Sequence, residues 1–450
     1  MPAGILPFGT HVCMAESARP GLTRPPPTIP AMVATAATAL SPLFTALLGE
    51  PLPLRVEFWD GSALGPAEAA SRVVVRTPDA LRRVLYAPNE VGLGRAYVTG
   101  ELELEGDAYD ALRTLNRTAP DDLRIGARTL AKVVAGARGL GIVGRRLPPP
   151  PEEARLRGGL HSRRRDAEAI SHHYDVSNEF YRLVLGETMT YSCARFTTPD
   201  DSLDDAQRAK YELIARKLDL RPGMRLLDVG CGWGGMVLHA AVEHGVEAVG
   251  VTLSVPQADL AAKRVADAGM SERVTIKVAD YRDLDGRFDA ISSIGMFEHV
   301  GRSMATAYFQ ALHGLLVPGG RLLNHAISTP EGAAFDRHSF VARYVFPDGE
   351  LHDVGDVCLG MQQAGLEVRD VECLREHYGL TLRQWVANLE RSWDDAVALV
   401  GERRARVWRL YMMGSAVGFE DGEMSLHQVL AVKPRDDGGS GLPLTRVAWG

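Results

Sequence analysis

The hydrophobic pattern of the chain becomes regular at about residue 166, where short apolar runs begin to alternate with longer amphipathic stretches. Runs rich in Val, Ile and Leu between helical patterns are typical of a mostly parallel sheet with helices between its strands. Strands are predicted at 225–229, 247–251, 274–278, 288–294, 320–325, 366–374 and 425–432. The pattern therefore predicts an α/β fold, an open sheet wound on both faces, with its site at the carboxyl ends of the strands.

The pattern before residue 121 is weaker and predicts a smaller mixed domain over 31–120. Alternating apolar positions and a turn at Asp60-Gly61 indicate short strands, and a proline at its first position indicates a helix. The strands are predicted at 54–58, 73–75 and 102–104, and the helix at 78–86. Three further segments complete the predicted organisation: a disordered leader (1–30), the α/β domain (166–434) and a flexible tail (435–450).

Residues 121–165 form a basic connector between the two predicted domains. It has eleven Arg or Lys residues against four Asp or Glu residues, a local balance of +7, and the run Pro148-Pro149-Pro150-Pro151. Such a stretch is either a solvated, stiff linker or a basic patch that faces anionic lipid headgroups. The sequence leaves both interpretations open.

Composition narrows the class of protein. The chain has 450 residues, 46% hydrophobic and 24% charged, which predicts packed cores in at least two domains. A net charge of −7 argues against a nucleic-acid-binding protein. The five cysteines include no CxxC pair, so we expect neither a disulfide framework nor a zinc site, and a cytoplasmic location. The most apolar stretch, 31–48, is interrupted by Pro42 and is too short and polar to predict a membrane span.

The most informative motif runs from Leu226 to Gly235 and reads Leu-Leu-Asp-Val-Gly-Cys-Gly-Trp-Gly-Gly. Glycines in a tight strand-to-helix turn let the backbone approach a ligand closely, but this alone does not separate a dinucleotide site from a simple turn. A dinucleotide site needs an acid about 20 residues after the glycines. Here Asp228 precedes them, and an acidic-aromatic pair, Asp280-Tyr281, closes the third strand. This order resembles the class I S-adenosylmethionine-dependent methyltransferase arrangement.

Several further segments occur in a specific order along the chain. They are 171–181 (Ser-His-His-Tyr-Asp-Val-Ser-Asn-Glu-Phe-Tyr), 189–194 (Met-Thr-Tyr-Ser-Cys-Ala), 295–301 (Gly-Met-Phe-Glu-His-Val-Gly), 325–328 (His-Ala-Ile-Ser), 344–349 (Tyr-Val-Phe-Pro-Asp-Gly) and His377-Tyr378. Together they closely resemble the cyclopropane-fatty-acyl-phospholipid synthase family, which includes the mycolic acid cyclopropane synthases. The resemblance covers 166–434 almost continuously, and the N-terminal part matches the longer, phospholipid-acting members more loosely.

The resemblance implies a cofactor set for S-adenosylmethionine. Tyr191 and Ser192 would touch the cofactor from the preceding segment. The methionine and ribose parts would lie against Gly230, Gly232 and Gly234, the ribose side along Thr252, Leu253 and Gln257, and the adenine between Tyr281 and Arg282. Asp228 and Asp280 complete the predicted set.

The resemblance also implies a bicarbonate ion beside the transferred methyl group, with five ligands: Cys193, Glu298, His325, the backbone of Ile327, and Tyr378. Methyl transfer to an alkene leaves a carbocation, and a base must then remove a proton in a water-poor pocket. Aromatic rings would line an apolar tunnel and stabilise the cation: Phe180, Tyr181, Phe297, Tyr344 and Phe346. Each polar residue alone is equally well explained by packing in a core. His172 and His173 have no acid or cysteine at ligand spacing, so no metal site is expected.

The resemblance implies cyclopropane formation on an unsaturated acyl chain of a membrane phospholipid, by a peripheral protein on the inner face of the cell membrane. Methylene- or methyl-branched products are the alternative within the class, and a non-catalytic lipid-binding protein is the alternative outside it. A homodimer follows from the resemblance only. Many family members have a cysteine on a late helix where this chain has Ser415. An essential-thiol mechanism is therefore in doubt, whereas direct alkene methylation needs no thiolate.

Overall fold

The structure is a computed structural model that describes residues 34–118, 127–154, 177–330, 338–347 and 349–449. The predicted leader, part of the basic connector, and His172 and His173 lie outside the described residues. Because of this, the two interpretations of the connector as a whole remain predictions.

A seven-stranded sheet forms the centre of the second half of the chain, as the hydrophobic pattern predicts. Its strands are β5 (Arg225–Val229), β6 (Glu247–Thr252), β7 (Val274–Val278), β8 (Phe288–Ile294), β9 (Leu316–Ser328), β10 (Glu367–Cys373) and β11 (Ser425–Val432). Their order in the sheet is β10-β11-β9-β8-β5-β6-β7. Strand β11 runs antiparallel to both of its neighbours, and the other pairs are parallel.

The topological switch point of this sheet lies at β5, because Leu226 pairs with Ala248 of β6 on one side and Ala290 of β8 on the other. From β5 the chain continues to β6 and β7 on one side of β5, and it then returns to β8 on the other side. The connections after β5 and β8 therefore diverge, which opens a crevice at the carboxyl ends of the strands. The Gly-rich motif follows β5 directly, so the fold places it at the mouth of that crevice.

Helices cover both faces of the sheet. They are α6 (Asn178–Leu185), α7 (Leu203–Leu218), α8 (Gly235–His244), α9 (Val255–Asp267), α10 (Ala305–Leu315), α11 (Phe340–Tyr344), α12 (Val354–Gln363), α13 (Arg375–Arg391), α14 (Trp393–Val400) and α15 (Glu402–Asp421). Short 3-10 turns lie at Tyr281–Asp283, Phe297–His299, Arg302–Met304 and Arg446–Trp449.

The N-terminal part contains a four-stranded sheet in the order β2-β1-β3-β4. Its strands are β1 (Arg55–Phe58), β2 (Ala63–Leu64), β3 (Ser71–Val75) and β4 (Leu102–Gly106), and its helices are α1 (Ala36–Leu48), α2 (Pro78–Tyr86), α3 (Glu90–Val98), α4 (Ala108–Thr118) and α5 (Ala127–Gly139). The predicted helix at 78–86 is confirmed with the same bounds, and each of the three strands predicted here is present.

One buried cluster joins the N-terminal part to the catalytic part. It includes Leu40 and Val56 from the first and Trp385 and Met412 from the second. Arg406 of α15 crosses the boundary, because its guanidinium donates to the backbone oxygens of Tyr97 and Leu102 and to Glu103. The N-terminal sheet is therefore packed as part of the same body as the catalytic domain.

The segment after β11 is mostly exposed, and a few of its residues contact the rest of the protein. Trp449 is 8% exposed and packs against residues of α7 such as Leu213 and Ile214. Arg321 donates a hydrogen bond to the backbone oxygen of Gly441 at 2.8 Å, and Arg446 contacts Asp370 and the backbone oxygen of Val371. The flexible tail expected over 435–450 stays a prediction. Among the described residues, no helix is both long and apolar enough to cross a membrane.

Candidate active site

The loop after β5 presents its backbone to a cavity because its glycines adopt positive φ angles. Gly230 (φ 79°) packs so closely on Met296 that a Cβ atom there would lie 2.8 Å from Met296 Cγ. At Gly232 (φ 52°) a Cβ atom would meet no atom within 4 Å and would project into open space. Only glycine adopts such angles without strain, so the loop keeps its backbone accessible to a ligand.

The cavity above this loop has about 1210 Å³ of empty space, counted with its open mouth. Every member of the predicted cofactor set except Gly234 lines it: Tyr191, Ser192, Asp228, Gly230, Gly232, Thr252, Leu253, Gln257, Asp280, Tyr281 and Arg282. The residues come from the ends of three neighbouring strands and from the segment before α7. The structure thus brings together residues that lie up to about ninety positions apart in the sequence, as parallel strands permit.

Gly234 has a different position from the one that the resemblance implies. It does not line the cavity, and its φ of 81° places it as the N-cap of α8. A Cβ atom there would lie 3.2 Å from the Cβ atom of Ala261 in α9. Gly234 therefore lets helix α9 approach the loop from behind, which is a packing role.

Asp228 is the acid closest to the Gly-rich turn, and it is 2% exposed. Burial raises the pKa of its carboxyl to about 6, against the hydrogen bond from Ser292 and the positive charge of Lys210, which both lower it. Ser292 Oγ donates to Asp228 Oδ1 at 2.6 Å. A carboxyl held this way favours a cationic ligand group, because such a group stabilises its ionised form.

Lys210 is a cavity residue that the sequence reasoning missed. It is fully buried, and its ammonium donates to Ser192 Oγ at 2.8 Å and lies 4.4 Å from the ring centre of Tyr211. Burial lowers its pKa to about 7. The signal was present in α7, where Lys210 falls on the buried stripe with Ala206 and Ile214. Lysine is rarely found on such a stripe without a partner or a function.

The far end of the cavity is formed by the turn after β7. The backbone N–H and the Nε of Arg282 donate to Asp280 Oδ1 at 2.9 and 2.8 Å. Tyr281 packs edge-on against Tyr308, with ring centres 4.8 Å apart. These contacts hold the tyrosine ring in place at the cavity wall, where it offers a flat surface to an aromatic ligand group. Thr252 Oγ1, at the end of β6, donates to Gln257 Oε1 at 2.8 Å. This pair lines the cavity between the turn after β5 and the turn after β7.

Glu298 and the end of β9 form a second, buried group of polar atoms beside this cavity. Glu298 Oε1 accepts from the backbone N–H of Ile327 at 2.7 Å. His325 precedes Ile327 by two residues on the strand, so the side chains of His325 and Ile327 lie on the same face of the sheet. The Nδ1 atom of His325 lies 3.2 Å from Gln428 Nε2. Burial raises the pKa of Glu298 to about 7 and lowers the pKa of His325 well below its usual value, so the imidazole is neutral.

Two atoms of this group are buried without a hydrogen-bond partner among the described residues: Glu298 Oε2 and His325 Nε2. Buried polar atoms in native proteins are nearly always satisfied by protein, water or ligand. A carboxyl and a neutral imidazole with one open position each therefore fit a small polar ion that both donates and accepts hydrogen bonds.

Cys193 and Tyr378 meet at the backbone oxygen of Leu374, which accepts from Cys193 Sγ at 3.8 Å and from the backbone N–H of Tyr378 at 3.3 Å. Both residues are buried, and burial raises the pKa of the Cys193 thiol well above its usual value. A thiol with a raised pKa is a poor nucleophile. The Tyr378 ring lies 4.5 Å from that of Phe419, centre to centre.

Aromatic rings lie between the cofactor cavity and the polar group around Glu298. Tyr191 stacks on Trp385 at 5.1 Å, and its hydroxyl donates to the Tyr411 hydroxyl at 3.1 Å. Burial first, and then the charge of Glu298, raises the pKa of Tyr411 to about 12, whereas a hydrogen bond with Ser415 lowers it. Ser415 therefore lies beside this tyrosine, and the sequence reasoning missed Tyr411 because no motif contained it.

The five predicted tunnel residues divide into two groups. Phe180, Tyr181 and Phe297 are at most 1% exposed and pack among other rings as core. Tyr344 and Phe346 lie on the segment that connects the N-terminal part to the site, where Phe346 contacts His299 and Tyr411. His299 also lines the cofactor cavity, and burial lowers its pKa to about 4.

Comparison with known proteins adds an independent finding. The family model described as “Mycolic acid cyclopropane synthetase” matches residues 161–429. A Mycobacterium tuberculosis protein named “Probable fatty acid methyltransferase” is 48% identical over 411 residues, covering 88% of this chain and 95% of that protein. The cyclopropane-fatty-acyl-phospholipid synthase of Escherichia coli K12 is 31% identical over 370 residues, covering 82% of this chain and 90% of that protein.

A solved structure supports the same relationship. The mycolic acid cyclopropane synthase CmaA1, determined with S-adenosylhomocysteine (SAH) and CTAB, has a TM-score of 0.57 and 35% identity, covering 59% of this chain and 98% of that chain. Its fold is that of a class I S-adenosylmethionine-dependent methyltransferase, in agreement with the mostly parallel sheet and the Gly-rich loop described above. The chain therefore belongs to the mycolic acid cyclopropane synthetase family of S-adenosylmethionine-dependent methyltransferases.

Proposed function

We propose that this protein methylates the cis double bond of an unsaturated acyl chain in a membrane phospholipid and that the product is a cyclopropane ring. The single observation that carries the proposal is the buried group at the end of β9. There Glu298 Oε2 and His325 Nε2 have open hydrogen-bonding positions beside the cofactor cavity. An ordinary oxygen or nitrogen methyltransferase would need a base for its nucleophile, whereas alkene chemistry needs a base after the methyl transfer.

The reaction begins with the alkene and the sulfonium of S-adenosylmethionine. The π electrons form a bond to the methyl carbon, the carbon–sulfur bond breaks, and the second alkene carbon becomes positive. An alkene is a weak nucleophile, so holding it against the methyl group supplies much of the rate. The rings of Tyr191, Trp385 and Tyr411 would stabilise the positive carbon through their faces.

Ring closure requires that the new methyl group lose one proton, after which the C–H electrons form the second bond to the positive carbon. Glu298, His325, Tyr378, Cys193 and the Ile327 backbone would hold a bicarbonate ion, and the two open polar atoms support this assignment. When bound, bicarbonate supplies a base for that proton. Lys210 lies close enough to lower the pKa of His325 and would offset the negative charge.

The acyl chain would enter along the aromatic side chains that lead away from Glu298. Phe346 contacts Tyr411, and Phe340 and Tyr344 stack at 4.7 Å farther out. Phe340 packs directly on Gly94 of helix α3, where a Cβ atom would lie 2.3 Å from its ring. These apolar side chains connect the site to the N-terminal part.

Membrane contact would be peripheral, on the inner face of the cell membrane, through the N-terminal part and the basic connector. Leu85, Tyr86 and Leu93 are exposed on helices α2 and α3, and the exposed Arg145 and Arg146 directly follow Gly144, whose backbone oxygen accepts from the Tyr86 hydroxyl. Contact through arginines to anionic lipid weakens with salt. Sedimentation with anionic vesicles should therefore decrease between low and high salt, and salt-independent binding would contradict the electrostatic part of the proposal.

The decisive experiment is product analysis. The full chain is incubated with S-adenosylmethionine and vesicles of a phospholipid with a single cis double bond, and the acyl chains are examined by mass spectrometry and NMR. We expect a mass increase of one CH₂ with the proton signals of a cyclopropane and loss of the alkene protons. A methylene-branched chain of the same mass would contradict ring formation and leave the methyl transfer established.

The second candidate is methyl or methylene branching at the same double bond. It is favoured by the name of the 48% identical relative, which specifies fatty acid methylation and states no ring. The same experiment separates the two. Calorimetry that detects no S-adenosylmethionine binding would contradict both and favour a non-catalytic lipid-binding protein.

A further inference from the structure

A cluster of one carboxylate and two imidazoles lies on the outer face of helices α7 and α8, outside the site described above. Glu212 Oε2 lies 3.0 Å from His244 Nε2 and 3.4 Å from His239 Nε2. All three ligand atoms lie within 4.8 Å of one another. The side chains are 34%, 19% and 14% exposed, so the cluster is half-buried at the surface.

These spacings suit tetrahedral coordination. Zinc binds imidazole nitrogen and carboxylate oxygen at about 2.0–2.2 Å, so neighbouring ligand atoms of a tetrahedral site lie roughly 3.3 Å apart. The two measured oxygen–nitrogen distances lie close to this value. We propose that Glu212, His239 and His244 form a binding site for one divalent transition-metal ion of the zinc class, with its fourth position open to solvent.

The surroundings of the cluster favour this assignment over a simple hydrogen-bonded triad. His239 Nε2 is shielded from solvent and has no hydrogen-bond partner among the described residues, so one ligand position is unsatisfied without an ion. Arg216 Nε donates to the other oxygen of Glu212 at 2.7 Å and orients Oε2 towards the histidines. A hydrogen bond to the non-ligating oxygen is the usual support for a metal-binding carboxylate.

The site adjoins the cofactor cavity through one aromatic ring. The His239 ring centre lies 5.7 Å from that of Tyr211. The Tyr211 hydroxyl is 2.6 Å from Thr190 Oγ1, and both residues line the cavity. An ion on His239 would therefore restrain a side chain that forms part of the cavity wall. The proposal is independent of the reaction proposed above.

The test uses the full chain without a histidine tag, treated with a chelator and dialysed. Zinc is titrated by calorimetry and in competition with a chromophoric chelator, and cobalt is followed by its visible absorption. We expect one ion per chain and an intense visible cobalt spectrum of tetrahedral type. The variants His239→Gln and His244→Gln should each weaken zinc binding at least tenfold, because each removes one of three protein ligands.

His313→Gln is the matched control, since His313 is also a half-buried histidine in the last turn of a helix but lies outside the cluster. It should bind zinc as the unchanged chain does. Thermal unfolding without metal shows whether each variant is folded, and His244→Gln, at the end of its helix, provides a second test if His239→Gln is unstable. Zinc binding of equal strength in the unchanged chain and both cluster variants would overturn the proposal, as would the absence of binding to the unchanged chain.

Discussion

At the residue scale, the site depends on ionisable groups whose burial changes their protonation. His325 and Asp228 are buried, Glu298 is half-buried with its Oε2 shielded from solvent, and burial is the largest cause of the pKa shift of each. Shifts of this kind concentrate where a protein performs chemistry on a bound ligand. Two of these groups lead to separate predictions, because Glu298 belongs to the proposed base site and Asp228 to the cofactor cavity.

Glu298→Gln should reduce turnover by roughly a hundredfold or more while the affinity for S-adenosylmethionine changes less than about twofold. The glutamine oxygen still accepts from the Ile327 N–H, so the local fold should persist, but an amide NH₂ group replaces Oε2 and can neither accept a hydrogen bond from a bound ion nor exchange a proton with it. Turnover is measured by methyl transfer to vesicles and affinity by calorimetry. A parallel loss of turnover and affinity would mean that Glu298 has a structural role.

The affinity for S-adenosylmethionine should depend on pH through Asp228. Its pKa is about 6 in the free protein, so the neutral carboxyl dominates below that pH. The cofactor is cationic and favours the carboxylate, so binding must release a proton at low pH. Affinity should then fall by up to tenfold per pH unit below about 6 and be constant above it.

Calorimetry between pH 5 and pH 8 measures this dependence, and two variants test its origin. Asp228→Asn should remove the dependence and weaken binding at pH 8. Lys210→Met should move the inflection to higher pH, because the ammonium of Lys210 lowers the pKa of Asp228. An unchanged inflection in Asp228→Asn would assign the pH effect to another group.

At the element scale, the turn between β5 and α8 determines where the cofactor can bind. Gly232 faces open space in the cavity, whereas Gly230 and Gly234 face protein atoms. All three glycines have positive φ angles, so all three need the backbone freedom of glycine. They differ in what surrounds them, and their roles differ for that reason. Sequence spacing treats the three glycines as equivalent, and the structure shows that they are not.

Gly232→Ala should therefore weaken S-adenosylmethionine binding by at least tenfold. Gly223→Ala is the matched control, because Gly223 also has a positive φ of 84° and open space at its Cβ position but lies outside the cavity. Both substitutions add backbone strain of about 1–2 kcal/mol. Affinity by calorimetry and melting temperature are measured for both variants. Equal affinity losses would show that strain, and not the new methyl group in the cavity, is responsible.

At the scale of the whole molecule, the N-terminal part and the catalytic part share a core. Arg406 is 7% exposed and inserts its guanidinium between Tyr97, Leu102 and Glu103. Its guanidinium carbon also lies 4.2 Å from the ring centre of Tyr97. Removing Arg406 would leave the backbone oxygens of Tyr97 and Leu102 without this buried donor, and Glu103, which is half-buried, would keep Arg76 at 3.9 Å as its ion-pair partner among the described residues. A buried acceptor that loses its donor costs about 1–3 kcal/mol.

Arg406→Met should lower the free energy of unfolding by about 3 kcal/mol or more. The exposed residue Arg403, one turn earlier on the same helix, provides the control, and Arg403→Met should change stability by less than about 0.5 kcal/mol. Scanning calorimetry of the unchanged chain should show one transition. Two separate transitions, with only the first shifted by Arg406→Met, would mean that the parts unfold independently.

The amino-acid sequence predicts the local structure and most of the residues that line the cavity. Runs such as 225–229 and 288–294 predict buried central strands, so the fold class and most strand bounds follow from the pattern. Strand β9 (Leu316–Ser328) is the exception, because it extends beyond its predicted range of 320–325 at both ends. The Gly-rich turn and Asp228 follow because backbone conformation is encoded locally. The ordered motifs also located Glu298, His325 and Ile327, which the structure places at one end of the sheet.

Contacts between side chains from distant segments depend on how the helices and strands pack, and they are seen in the structure alone. Lys210, Tyr411 and Gln428 belong to no motif, and they reach the site because α7 and β11 pack against β9 and α15 packs against α13. The cluster of Glu212, His239 and His244 has the same origin, since two helices must pack before its ligand atoms approach. Such contacts depend on packing between elements that are far apart in the sequence. A local pattern of residues does not specify which distant elements will pack together.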